Sequence, residues 1–217
     1  MDSNHVYVKK YYKTEENPDV FPIDEKEVWR YAGYRGGPAL EETQLREVFT
    51  KVYEECANAF SYSVCYARLP LTWEGTELVY PFRTQSKALA NFLKGCEEVV
   101  LFAATVGQEI DRHILRNEKI APTKALLCQA YGAERVEALC DAFAGEVEEE
   151  MAAEGLKVIN RFSPGYGDLA LDVQKDFFRI LDISHRLGIS LGDSMLMRPS
   201  KSVTAILGLK KTTDAAL

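Results

Sequence analysis

The run Val99–Thr105 constrains the fold of this chain more than any other segment. It reads Val-Val-Leu-Phe-Ala-Ala-Thr, and Gly107 follows it. A strand with one face in water alternates apolar and polar residues, whereas a strand buried on both faces is apolar throughout. The run therefore predicts a central strand that is covered on both sides.

The other predicted strands are scattered between helices, and several of them pair locally. The β-like runs 62–71 and 76–82 are joined by Trp73-Glu-Gly-Thr76, which is typical of a hairpin turn. Further strands are predicted at 156–162, 194–198 and 202–209. This arrangement predicts an α+β fold with a mainly antiparallel β-sheet flanked by helices.

Helices are indicated by apolar residues spaced three and four apart and by capping residues. Such a stripe predicts a helix over 40–60, and Asp24 is placed to cap a short helix that Gly33 ends. The longest helical region is 123–151, where Gly132 is expected to break the helix. A last helix is predicted over 172–185.

Length and composition predict a single folded domain over residues 21–210. The chain has 217 residues, of which 47% are hydrophobic and 27% charged, as in ordinary globular proteins. Residues 1–20 are polar and are predicted to be flexible, and 211–217 are predicted to be a disordered tail. Since the sequence contains neither a secretory h-region nor an apolar run long enough to span a membrane, we expect a cytoplasmic protein without a membrane partner.

Several common kinds of site are excluded by what the sequence contains. The net charge of −7 disfavours nucleic acid as a partner. The five cysteines form no CxxC pair and lie in apolar stretches, so we expect buried thiols rather than disulfides or a zinc site. The three histidines lack metal-ligand spacing, and no nucleophile elbow or phosphate loop occurs, so we expect neither a metal site nor catalytic residues.

The most unusual segment is Asn160-Arg-Phe-Ser-Pro-Gly-Tyr-Gly-Asp168. Arg161 ends a predicted strand, and a guanidinium can hold a carboxylate through two parallel hydrogen bonds. Gly165 and Gly167 would let a flat ligand lie against the backbone, whose polar groups can bind an adenine edge. Tyr166 adds an aromatic wall. These features suit a ligand with a carboxylate, an adenosine and a cationic centre.

Taken alone, the same residues fit two interpretations. The segment also fits an ordinary Pro-Gly turn beside an exposed arginine. Asp141 lies at the edge of the apolar stripe of its predicted helix, where it could bind a ligand ammonium or ribose, or could be a plain surface carboxylate.

A longer ordered pattern resembles the activation domain of vitamin B12-dependent methionine synthase. That family shows Arg-x-x-x-Gly-Tyr, a helix, a Gly-x-x-Leu-Thr-x-Ser segment, a Met-x-Pro turn and a Ser-Val strand. Here Arg161-x-x-x-Gly165-Tyr166 is followed by a predicted helix, and Gly192 stands where the family usually has threonine. The remaining matches are Gly188, Leu191, Ser194, Met197, Pro199, Ser202 and Val203. The resemblance extends over 99–209, and Asp141 falls where the family's preceding helix carries an acidic ligand contact.

The resemblance implies an S-adenosylmethionine-binding module that supports remethylation of cob(II)alamin after one electron arrives from a flavodoxin-type donor. It implies that Arg161 binds the ligand carboxylate and that Ser163 and Gly165 contact adenine through their backbone. It also implies that Tyr166 forms the pocket wall and that Asp141 binds a polar ligand group.

The sequence departs from the family in lacking the substrate, folate and cobalamin modules and the final segment with its further tyrosine. It would therefore act in trans on the cobalamin-binding module of a methionine synthase or a related corrinoid protein. The N-terminal Asp-Trp element of the family has only Asp24 and Trp29 as candidates. One alternative is a non-catalytic adaptor or chaperone for a corrinoid protein that does not bind S-adenosylmethionine. A methyltransferase acting on a small substrate is less favoured, since the motif contains no general base.

Overall fold

Nine strands form one large sheet and two short ribbons within residues 5–14, 19–34 and 43–212, which the computed structural model describes. They are β1 (Tyr7–Tyr11), β2 (Tyr62–Pro70), β3 (Thr72–Glu74), β4 (Glu77–Tyr80), β5 (Glu98–Thr105), β6 (Leu156–Phe162), β7 (Ser190–Leu191), β8 (Met197–Arg198) and β9 (Ser202–Lys211). The large sheet has the order β1-β2-β5-β9-β6, and every neighbouring pair is antiparallel. The ribbons are β3–β4 and β7–β8.

Helices cover both faces of this sheet, which confirms the predicted α+β class. They are α1 (Glu25–Tyr31), α2 (Thr43–Cys56), α3 (Lys87–Phe92), α4 (Glu109–Asn117), α5 (Pro122–Ala153), α6 (Gln174–Leu181) and α7 (Ile183–Leu187). One core packs α1, α2, α4 and α5 against the sheet, and the other packs α3, α6 and α7 against its opposite face. Among the described residues, no helix is both long and apolar enough to cross a membrane.

Strand β5 lies in the middle of the sheet, as the apolar run predicts. Its side chains alternate between the two cores: Phe102 is buried with α5, and Leu101 is buried with α6. Both side chains are fully removed from water. Two separate cores therefore share one strand, and this is why that segment could not be amphipathic.

Two helix predictions are wrong in instructive ways. Gly132 does not break α5, which runs unbroken for 32 residues. A Cβ at Gly132 would lie 3.1 Å from the side chains of Ile110 and Lys201, so the glycine allows close approach of α4 and of the residue that precedes β9. The helix predicted over 172–185 is divided, because Asp182 adopts a left-handed conformation (φ 50°) between α6 and α7.

Residues 7–11, for which the sequence predicts flexibility, form the edge strand β1. Tyr11 and Lys9 both contact Glu146 of α5, at 2.7 Å in each case. Charged residues are common on edge strands because they oppose the addition of a further strand. Here these charged residues give the segment the polar composition from which flexibility is predicted. The predictions for residues 1–4, 15–18 and 213–217, and for the first residues (40–42) of the helix predicted over 40–60, fall outside the described residues, whereas Lys211 belongs to β9.

The five cysteines are free thiols, and all of them are buried, as predicted. Burial raises the pKa of Cys65 and of Cys140 to about 12. Such thiols stay protonated near neutral pH and pack as small apolar side chains.

Candidate functional site

Arg161 lies near the end of β6, at the edge of the sheet. The pairing of β6 with β9 changes register between Ile159 and Phe162. Such an irregularity can change the face of the sheet on which the neighbouring side chains lie. Phe162 is buried in the core with α3 and α6, whereas the Arg161 side chain contacts α5 on the other face. The strand therefore presents its guanidinium to the α5 side.

Two carboxylates of α5 bind this guanidinium. Arg161 Nη2 lies 2.8 Å from Asp141 Oδ1 and 2.9 Å from Glu137 Oε2. The two acids are four residues apart, so they lie on one face of the helix. Partial burial opposes the charge of Arg161, but the neighbouring Cys140, Glu137 and Asp141 together hold its pKa above the ordinary value. Arg161 and Asp141, both predicted to bind one ligand, are thus in direct contact.

An open groove of about 420 Å³ borders this ion pair. Its volume is within the roughly 300–1,000 Å³ typical of small-ligand sites. The groove runs between α1, α5 and the end of β6. It is lined by Pro22, Asp24, Glu27, Tyr31, Glu134, Glu137, Ala138, Asp141 and Arg161.

Asp24 enters the groove at the start of α1. Its carboxylate accepts hydrogen bonds from the backbone N–H of Lys26 (2.9 Å) and Glu27 (3.3 Å), so it caps the helix as predicted. Its own N–H donates to Glu134 Oε1 at 3.1 Å. The sequence left the Asp-Trp element unassigned; the structure places Asp24, but not Trp29, among the groove-lining residues.

A buried ion pair on α5 fixes this segment beside the groove. Arg135 is fully buried, bonds Glu134, and donates to the carbonyls of Phe21 and Pro22 at 2.8 Å each. Sequence reasoning missed Arg135. It lies four residues before Leu139 on the apolar stripe, and a charged residue on a buried stripe is the signal that could have found it.

The turn after β6 packs on the other side of the strand and is closed by its own hydrogen bonds. Gly165 has a φ of 87°, and its N–H donates to Leu169 O at 2.9 Å. The N–H of Tyr166 donates to Ser163 O at 3.1 Å. Leu169 is buried in the core with α3 and α6. In this conformation the Gly165 N–H is already paired and is not free for an adenine edge.

Asp168 ties the same turn to the start of α3. Its carboxylate accepts hydrogen bonds from the Ser86 hydroxyl and from the N–H groups of Lys87 (2.8 Å) and Ala88 (3.1 Å). These bonds, that of Ser86 first, lower the pKa of Asp168. Gly167 approaches α3 closely, because a Cβ there would lie 2.9 Å from Ala88 Cβ.

Tyr166 is 70% exposed and meets Phe162 edge to face, with ring centroids 5.3 Å apart. It does not line the groove next to Arg161, whereas Tyr31 does. The structure therefore divides the five predicted site residues in two. Arg161 and Asp141 meet at the groove on the α5 side, and Ser163, Gly165 and Tyr166 lie on the turn that packs toward α3.

An antiparallel five-stranded sheet between two helix layers is the architecture that the sequence resemblance predicts. The crystal structure of the MetH reactivation domain bound to AdoHcy has this fold. It superposes with a TM-score of 0.70 and 16% sequence identity, covering 98% of this chain and 80% of that chain. At this identity the likeness establishes the fold, so the predicted fold of a methionine synthase activation domain is confirmed.

Two comparisons of the amino-acid sequence found no match. No family model matches the chain. No curated protein matches it either.

Proposed function

We propose that this protein is a member of the methionine synthase activation family that binds S-adenosylmethionine. In this role it would serve as an accessory component in the cytoplasm for reductive remethylation of cob(II)alamin on a separate cobalamin-dependent methionine synthase. The observation that carries the proposal is the Arg161 guanidinium at a groove of suitable size, in the fold of a domain whose crystal structure holds AdoHcy. AdoHcy is what remains of S-adenosylmethionine after its methyl group is transferred.

The residues of the groove fit such a ligand. Arg161 can bind the carboxylate of the methionine moiety, and Asp141 and Asp24 offer acceptors for its ammonium or for ribose hydroxyls. Within the described part of the chain β6 is the last strand of the sheet, and its outer edge is not paired with another strand there. A ligand lying along that edge would reach from Arg161 toward the turn that carries Ser163, Gly165 and Tyr166.

The partner's cobalamin and the reduced flavoprotein supply the reactive chemistry. The cobalamin would supply a methyl acceptor once the flavoprotein had provided one electron, and the S-adenosylmethionine bound by this chain would be left as AdoHcy after giving up its methyl group. The task of this chain is to bind the sulfonium ligand and hold its methyl group toward the partner.

Isothermal titration calorimetry with S-adenosylmethionine tests the proposal. We expect the wild type to bind and Arg161→Ala to lose about 1.5–3 kcal/mol of binding free energy, because a charge-assisted contact to the carboxylate is removed. Arg179→Ala is the matched control, since Arg179 is an exposed arginine of α6 that pairs with Asp176 in the same helix and does not line the groove. Equal binding by wild type and Arg161→Ala would show that the ligand is held elsewhere.

One observation favours a second function, an adaptor for a corrinoid protein that does not bind S-adenosylmethionine. The Arg161 guanidinium is already held by Asp141 and Glu137, so a ligand carboxylate has to compete with them. A pull-down with a cobalamin-binding module separates the two. The adaptor forms the complex equally with and without S-adenosylmethionine, whereas the activation module responds to the ligand.

A further inference from the structure

The aromatic side chain that lines the groove beside Arg161 is Tyr31, the last residue of α1. Its side chain is 36% exposed. Burial is the main cause that raises the pKa of its hydroxyl, and Glu137 across the groove raises it further. Tyr31 therefore stays a neutral ring near neutral pH, within electrostatic range of the carboxylate that Arg161 binds.

Arg30 is held over the Tyr31 ring, with its Cζ 4.2 Å from the ring centroid. Glu27 fixes that guanidinium through bonds of 2.8 and 2.6 Å to Nε and Nη2. Arg30 does not line the groove, while Tyr31 does. Arg30 therefore covers one part of the ring from outside the set of groove-lining residues, while Tyr31 itself lines the groove and keeps 36% of its surface exposed.

Among the described groove-lining residues, five carboxylates face one guanidinium, that of Arg161. The buried Arg135 neutralises the charge of Glu134, and the exposed Arg30 neutralises the charge of Glu27. The remaining acids, Asp24, Glu137 and Asp141, still outnumber Arg161. The groove thus combines an excess of negative charge with the π surface of a tyrosine, and both attract a cation.

We propose that Tyr31, together with the carboxylates of the groove, recognises the positively charged sulfonium, so that the site binds S-adenosylmethionine more tightly than AdoHcy. This inference rests on the proposed function. The two compounds differ in one methyl group and one positive charge on sulfur. A site with this preference takes up the methyl donor and releases the spent thioether.

The experiment measures the affinities of both compounds by calorimetry for the wild type, Tyr31→Leu and Tyr31→Phe. We expect Tyr31→Leu to weaken S-adenosylmethionine binding by roughly threefold to tenfold and AdoHcy binding by less than about twofold, because only the cation interacts with the ring quadrupole. Tyr31→Phe keeps the ring and should keep the wild-type ratio of affinities. Tyr12→Leu, which removes an exposed tyrosine remote from the groove, should change neither affinity.

The outcomes separate this inference from the function on which it rests. If neither compound binds, or if Arg161→Ala changes nothing, the proposed function itself fails. A different outcome is that both compounds bind through Arg161 while Tyr31→Leu weakens their binding equally or leaves both affinities unchanged. In that case Tyr31 does not distinguish the sulfonium from the thioether, and only the inference about the sulfonium is overturned. A wild type that binds AdoHcy as tightly as S-adenosylmethionine overturns it as well.

Discussion

The two sides of β6 satisfy their polar groups in different ways. On the α5 side, long charged side chains pair with one another: Arg161 with Asp141 and Glu137, at the rim of an open groove. On the α3 side, the turn after β6 closes through backbone hydrogen bonds and through Asp168. Side-chain ion pairs near a surface exchange partners at little cost, whereas a closed backbone turn has few free groups to offer.

This contrast indicates that the α5 side is the adaptable half of the site and the turn is its fixed wall. A ligand carboxylate can replace Asp141 on Arg161, because Asp141 is 72% exposed and water can solvate it once displaced. A ligand cannot replace the acceptor of the Gly165 N–H in this way, because that acceptor is the Leu169 carbonyl of the same turn.

The largest effect should come from the buried pair that supports the α5 side. Arg135→Met leaves the Glu134 carboxylate without its cationic partner at 5% side-chain exposure, and it removes the guanidinium donor from the carbonyls of Phe21 and Pro22. We expect the free energy of unfolding to fall by about 3–5 kcal/mol, measured by urea denaturation. Arg179→Met, at an exposed arginine, should change it little.

A double variant makes that test sharper. Arg135→Met combined with Glu134→Leu removes the unpaired charge, so it should be more stable than Arg135→Met alone. A double variant as unstable as the single one would mean that packing, rather than charge, fixes this segment.

An intermediate effect is expected where the turn approaches α3. Gly167→Ala places a Cβ 2.9 Å from Ala88 Cβ, at a φ of 59° that disfavours residues with a side chain. The expected loss of stability is about 2–3 kcal/mol, combining backbone strain with overpacking. Gly155→Ala has a φ of 73° but no neighbour within 4 Å, so it should lose only about 1 kcal/mol. Equal losses for the two variants would show that the turn yields easily and is not a fixed wall.

The smallest effect concerns pH. Because the pKa of Asp168 is lowered in the folded state, its stabilising contribution is present above the unfolded pKa of about 3.9. It is lost as the pH falls through the lower folded value. Asp168→Asn should therefore reduce the melting temperature at pH 7, and the difference from the wild type should shrink below about pH 4. A difference that stays constant with pH would mean that the charge of Asp168 does not hold the turn.

The candidate site could be predicted only in part. The residues alone left the roles of Arg161 and Asp141 open, and the family resemblance implied that both bind one ligand; in the structure the two residues are in contact. The sequence could not show that Tyr166 lies outside the groove and Tyr31 inside it, because Tyr31 reaches the groove through the packing of α1 on α5, two elements far apart in the chain.

What the sequence by itself determined is the burial pattern of its elements. The unbroken apolar run fixed β5 as a strand with two buried faces, and Asp24 fixed the start of α1, because both depend on residues close together in the chain. Tertiary structure alone decided that Gly132 admits a neighbouring helix, that residues 7–11 complete the sheet, and that Arg135 holds the segment beside the groove. Each of these depends on a partner far along the chain, and local periodicity carries no information about such partners.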